Sequence, residues 1–233
     1  MGADRKAKGT SDLGVRVASA VVMLALAGAA VWLGGAMLDA FIVLVGAAAF
    51  WEFLRLVTRA FSGVARLVWT SCGAIYIAFA VLTLVSIERM DVLLLLIGVV
   101  IAVDVFAYFF GRSIGGPKIA PSISPSKTWA GLLGGVVGAS MAMMLHAAFG
   151  EPNVASRPPF EYAVLVLPAA VLAVLAQAGD FLESWIKRRA DVKDSSNLIP
   201  GHGGVLDRVD GLLAVSVGFG LGALVMAPQM LGL

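Results

Sequence analysis

Residues 180–211 read DFLESWIKRRADVKDSSNLIPGHGGVLDRVDG, from Asp180 to Gly211. Six acids, five bases and His202 crowd into this stretch, while the sequence around it is mainly apolar. Charged groups in or beside a bilayer are costly and mark a functional site by default. Lys187, Arg188 and Arg189 close an apolar run. Lys193 and Asp194 lead through Pro200 and Gly201 into His202, Gly203 and Gly204, where glycine lets backbone approach a ligand closely. Asp207 and Asp210 stand three apart, so a helix there places both on one face.

Outward from that stretch the chain is membrane-like. It has 233 residues, 60% hydrophobic and 14% charged, with mean hydropathy +0.94. So few charges do not cover the surface of a soluble domain of this size. Continuous apolar runs of about 20 residues predict helices rather than barrel strands. The expected fold is all-α, a polytopic helix bundle with spans at 15–34, 37–57, 66–87, 91–111, 129–149, 161–182 and 209–229. Residues 1–14 read as a loose polar cytoplasmic tail, and 15–233 as a single membrane domain. Cys72 stands alone in an apolar run, which excludes an internal disulfide and reads as a small core residue. The first apolar run is too long for a signal-peptide core and reads as a retained span.

The bases set an orientation. With the N-terminus in the cytoplasm, fifteen of the 17 bases fall in cytoplasmic segments and only Arg89 and Arg157 do not. The two polar loops, 112–128 and 183–208, then share the cytoplasmic side. The net charge of +2 implies no nucleic-acid partner. Small residues at Gly131–Gly138 and Gly218–Gly222 favour close helix packing within the chain, with a homodimer contact as the alternative.

From Ser184 to Asp210 the chain fits S-x-x-K-R-x4-K-D-x-S-x2-I/L-P-x-H-G-G-x-x-D-R-x-D without a break. This pattern resembles the signature of the phosphatidate cytidylyltransferases, the CDP-diacylglycerol synthases. More loosely the resemblance reaches back to Asp104, whereas the N-terminal half is similar only in being hydrophobic. The segment Ser124-Pro125-Ser126-Lys127-Thr128 resembles the family's S-P-x-K-T, which is usually followed by an acid and glycine. Here Ala130 stands where the family's acid is expected, so that acid has no counterpart in this chain. A P-loop reading of Ser126-Lys127-Thr128 fails, because G-x4-G-K-S/T is absent and no strand precedes it.

The resemblance implies an enzyme of the inner membrane, facing the cytoplasm, that takes CTP and phosphatidate to CDP-diacylglycerol and pyrophosphate. It implies Asp207, Asp210, His202 and Lys193 as catalytic groups. Substrate contacts fall to Ser124, Lys127, Thr128, Ser184, Lys187, Arg188, Asp194 and Arg208, with membrane lipids as the surrounding partner. Magnesium, with a second cation left open, is expected on Asp180, Asp207 and Asp210, with Asp104 a further candidate. Hard oxygen donors suit that ion. Against these functional readings stand plain ones. Asp104 can serve a helix–helix hydrogen bond, the basic cluster can hold anionic headgroups, and the loop at 112–128 can be a topological anchor. Glu52 reads as an interfacial anchor beside Arg55, and His146 as a packed or interfacial residue. Two rival functions remain. One is another CTP-dependent lipid-phosphate nucleotidyltransferase or lipid kinase. The other is a transporter, which predicts inverted halves, whereas charge here concentrates in the C-terminal half. The aspartate pattern of CDP-alcohol phosphatidyltransferases is absent.

Overall fold

The computed structural model describes residues 3–150 and 163–230, and side chains from 13–149 and 163–226. Among these residues seven helices are long and apolar enough to cross a membrane. They are α1 (Ala3–Leu33), α2 (Gly35–Ala60), α3 (Gly63–Val85), α4 (Met90–Ser113), α5 (Trp129–Gly150), α6 (Val166–Arg189) and α7 (Leu206–Met230). The all-α membrane class is as expected, and the chain is an integral membrane protein. Two local differences follow from composition. Helix α1 runs back to Ala3 because Ala, Arg and Lys are strong helix formers that extend the apolar span. The loop after α4 contains a two-stranded antiparallel ribbon, β1 (Lys118–Ala120) with β2 (Ser124–Thr128), pairing Lys118 with Thr128 and Ala120 with Ser124. The first two residues of the expected span 161–182 lie outside the described residues.

The chain divides into two compact units. The first comprises residues 1–77 and 186–209. Its turn from α1 into α2 needs Gly34 and Gly35 at φ +61° and +48°, a backbone region that other residues enter at a cost. Phe53, Leu56 and Val57 on α2 are buried, and the Phe53 ring fills the space over Gly73 of α3 that a Cβ would occupy. Arg189 lies 4.8 Å from the Phe61 ring centroid, a cation–π contact at the end of α2. Cys72 is exposed on α3 rather than in the core, since this helix turns much of its apolar surface outward.

The second unit comprises residues 78–185 and 210–233. Its core joins Leu96, Val99 and Val103 of α4 to Ala139 of α5, Ala169, Ala173 and Ala176 of α6, and Val215 of α7. Helix α5 lies close on α4 through its glycines. A Cβ at Gly138 would sit 2.5 Å from the Ala102 carbonyl oxygen, and one at Gly134 2.6 Å from the Phe110 side chain. The small-residue run at 131–138 therefore serves packing inside the chain, as small-residue faces do in lipid. A similar approach joins α6 to α7, where a Cβ on Gly179 would collide with the Asp210 carbonyl oxygen. This contact brings Asp210 against the residue next to Asp180.

Candidate active site

In the second unit three carboxylates converge. Asp180 and Glu183 stand three apart on one face of α6, and the close contact at Gly179 sets Asp210 of α7 opposite them. One carboxylate oxygen from each lies within 4.8 Å of the others. Glu183 is buried, and Asp180 and Asp210 are half-buried. Asp210 accepts the Gly211 N–H at 2.8 Å and shares a hydrogen bond with Glu183. Asp180 accepts from Ser184 Oγ at 3.2 Å and pairs with Lys127 Nζ at 2.5 Å. The ribbon positions that lysine. Thr128 Oγ1 accepts the Gly131 N–H at 3.0 Å, which caps the start of α5 and holds the end of β2 in place. Asp104 of α4 stands within electrostatic reach of Lys127 and Asp180. Carboxylates this close repel one another, so a proton or a cation must sit among them. Three hard oxygen donors with one nearby lysine suit a divalent cation such as magnesium.

In the first unit the signature loop forms a closed structure between α6 and α7. Ile199 and Gly203 bridge across its tip, with the Ile199 N–H on the Gly203 carbonyl at 2.8 Å. Gly201 and Gly203 take φ +75° and +85°, so the tip requires glycine. His202 Nδ1 lies 2.8 Å from Ser19 Oγ of α1, and the same hydroxyl lies 2.8 Å from the Pro200 carbonyl oxygen. If Ser19 donates to that carbonyl, it accepts from Nδ1–H. Arg208 Nη2 donates to the His202 carbonyl at 2.6 Å. A cleft of about 480 Å³ opens here, walled by Arg16, Lys193, Asp194, Asn197, His202 and Arg208.

Two carboxylates hold this loop. Asp207 Oδ1 takes Lys187 Nζ at 2.5 Å, while Oδ2 takes the N–H groups of Ser195 and Gly204 at 3.0 and 2.8 Å. Glu52 of α2 is fully buried. Its Oε1 accepts from Ser196 Oγ at 2.5 Å and Val205 N–H at 3.1 Å, and its Oε2 from Ser195 Oγ at 3.0 Å and Leu206 N–H at 2.7 Å. Ser195 Oγ also lies 2.9 Å from Asp207 Oδ2, so one hydroxyl proton faces two carboxylates.

Asp180 and Asp210 thus come together as expected residues, and Glu183 joins them. Asp207 engages protein donors with both oxygens. Lys193, Asp194, His202 and Arg208 share one cleft. Lys187 binds Asp207, Ser184 binds Asp180, and Thr128 caps a helix. Ser124 lies in β2 and Arg188 in the last turn of α6. Glu52 departs from the anchor reading, because the start of α7 and two serines solvate its charge internally, while Arg55 lies over the Trp51 ring at 4.8 Å. Sequence reasoning passed over Glu183, Ser19 and Arg16, and read Glu52 as an anchor. Only Glu183 had a legible signal, its spacing of three from Asp180.

The cytidylyltransferase family matches residues 87–221, more than half of the chain. A protein named phosphatidate cytidylyltransferase from Brucella abortus (strain 2308) is 44% identical over 170 residues, covering 70% of this chain and 60% of that protein. One of the same name from Bacillus subtilis (strain 168) is 44% identical over 117 residues, covering 50% of this chain and 41% of that protein. Another, from Rickettsia typhi (strain ATCC VR-144 / Wilmington), is 29% identical over 220 residues, covering 92% of this chain and 94% of that protein. The chain spans about 60% of the length of the Brucella relative.

Proposed function

The chain belongs to the cytidylyltransferase family, and on that premise we propose that it transfers CMP from CTP to phosphatidate, yielding CDP-diacylglycerol and pyrophosphate. The observation that carries this reading is the convergence of Asp180, Glu183 and Asp210 beside Lys127. The names of the relatives supply the substrates.

The reaction needs little proton chemistry. A phosphatidate phosphate oxygen, already ionised near neutral pH, attacks the α-phosphorus of CTP. The bond from that phosphorus to the oxygen bridging to the β-phosphorus breaks, and pyrophosphate leaves with the electron pair. The main barrier is bringing anions together, so positioning and charge neutralisation dominate. Asp180, Glu183 and Asp210 would hold magnesium, which supplies a counter-charge for the reacting phosphates. Lys127 holds Asp180 and adds positive charge on the ribbon side. Ser184 fixes the orientation of Asp180. Lys193, Arg208 and His202 line a cleft suited to phosphate oxygens, with Arg16 as a further cation and Asp194 limiting its net charge. Asp207 and Lys187 lock the loop that carries these groups. The base asymmetry supports a cytoplasmic location for both polar loops, in the bacterial inner membrane, where CTP arrives from the cytosol and the lipid from the adjoining leaflet.

Incubation of purified protein with CTP labelled in the cytosine, followed by lipid extraction, tests the reading. Label is expected in the lipid phase only with phosphatidate present. Label in a lipid made from diacylglycerol, or transfer of the γ-phosphate instead, would replace this reading by a lipid kinase or a different transferase.

A further inference from the structure

Glu52 lies outside the segment 87–221 that the family match covers, yet among the described residues its carboxylate takes four hydrogen bonds from the signature loop. Its four donors come from two places. Ser195 and Ser196 directly follow Lys193 and Asp194, while Val205 and Leu206 directly precede Asp207 and Arg208. One side chain therefore pins both ends of the closed segment 195–206. The residues just outside and inside those ends, Lys193, Asp194, His202 and Arg208, wall the cleft. Two of the donors are backbone N–H groups at the start of α7, where the helix favours negative charge.

The arrangement demands a carboxylate. Each oxygen accepts one serine hydroxyl and one backbone N–H. An amide in its place must turn its NH2 toward one of those N–H groups, which cannot accept a hydrogen bond. Aspartate is shorter by one methylene and does not reach all four donors from the same backbone. The loop has also made room for this group, because a Cβ on Gly204 would collide with Ser195 Oγ and stand 2.5 Å from Glu52 Oε2.

We propose that Glu52 is a positioning residue for the nucleotidyl-transfer site, which sets the spacing of Lys193, Asp194, His202 and Arg208 by clamping the two ends of the signature loop. The proposal rests on the function proposed above. It gives the N-terminal helices a direct part in the site, through α2, that the C-terminal signature alone does not reveal.

The test compares wild type with Glu52→Gln, Glu52→Asp and the milder Ser196→Ala in three measurements on the full chain in detergent or nanodiscs. These are hydrogen exchange across 195–206, thermal melting, and kcat and KM for CTP per folded molecule. Glu52→Gln is expected to speed exchange at Val205 and Leu206 while leaving α4 and α5 protected. Its kcat/KM should fall about a hundredfold, the scale of a misplacement near 1 Å at a reacting centre. Ser196→Ala should move both readouts the same way by less, and Glu52→Asp should recover part of the activity lost in Glu52→Gln. A merely structural glutamate lowers the melting temperature while the folded fraction keeps wild-type kcat and KM, and that result overturns the proposal. So does unchanged exchange at Val205 and Leu206 in Glu52→Gln. If Glu52→Gln does not fold, Ser196→Ala decides by the same two criteria. A wild type that does not couple CTP to phosphatidate would sink the proposed reaction instead, and the exchange arm would still decide whether Glu52 clamps the loop.

Discussion

Lys187 Nζ and Asp207 Oδ1 form an ion pair at 2.5 Å across 20 residues, with side chains 13% and 8% exposed. Burial at that level means the pair is worth most as a pair, because removing one partner strands the other's charge. Asp207→Asn is expected to destabilise the protein by about 3 kcal/mol, the lower range for breaking a buried ion pair. The magnesium concentration for half-maximal activity should stay near wild type in whatever fraction folds. Thermal melting with a magnesium titration checks this. A well-folded Asp207→Asn whose magnesium requirement rises tenfold would make Asp207 a metal ligand and would refute its assignment as a loop lock.

The carboxylate cluster predicts the opposite pattern. Asp180→Asn, Glu183→Gln and Asp210→Asn each keep shape and remove one charge from three that crowd together. Relief of repulsion should leave melting unchanged or raise it slightly in Glu183→Gln and Asp210→Asn, whereas Asp180→Asn also gives up the pair with Lys127 and should melt somewhat lower. Turnover should fall about a hundredfold or more, the usual cost of losing a charge clamp on a transition state. Activity at saturating and limiting magnesium, beside a melt, separates the two effects. Near-normal turnover in Glu183→Gln would remove that residue from the set.

Gly204 is held to glycine by space. Gly204→Ala drives a methyl into Ser195 Oγ and Glu52. It should cost roughly 1–3 kcal/mol, as overpacking does, with loss of activity. Glu52→Ala together with Gly204→Ala should be less than additive, because the first removes two of the three nearest atoms that the second strikes. A double-mutant cycle on melting free energies reads this directly.

Much of this was legible in the sequence, for physical reasons that differ from element to element. Apolar runs near bilayer length fix the spans, so that a run expected at 66–87 appears as Gly63–Val85. The ribbon was not legible, because Ser124, Pro125, Ser126 and Lys127 carry no alternation of apolar and polar residues. Glu183 sits one position before the signature begins at Ser184, and a fixed pattern gives no weight to what lies outside it. The role of Glu52 had no signal at all. Two of its partners are backbone N–H groups more than 150 residues away, and every residue has one of those.

The orientation carries its own prediction. Ser122 and Asn197 are exposed, one beside the ribbon and one in the signature loop. Ser122→Cys and Asn197→Cys, each in a Cys72→Ser background, should react with an impermeant maleimide only from the cytoplasmic side of the membrane. Labelling of either from outside contradicts the orientation drawn from the bases.

The most direct measurement is pyrophosphate release from CTP by the purified chain, with and without phosphatidate, across a magnesium titration, for wild type and Asp210→Asn. The account predicts release by wild type only when phosphatidate and magnesium are both present, CTP preferred over ATP, and a loss of about a hundredfold or more in Asp210→Asn. Full release in excess chelator, release without phosphatidate, or wild-type rates from a folded Asp210→Asn would contradict it.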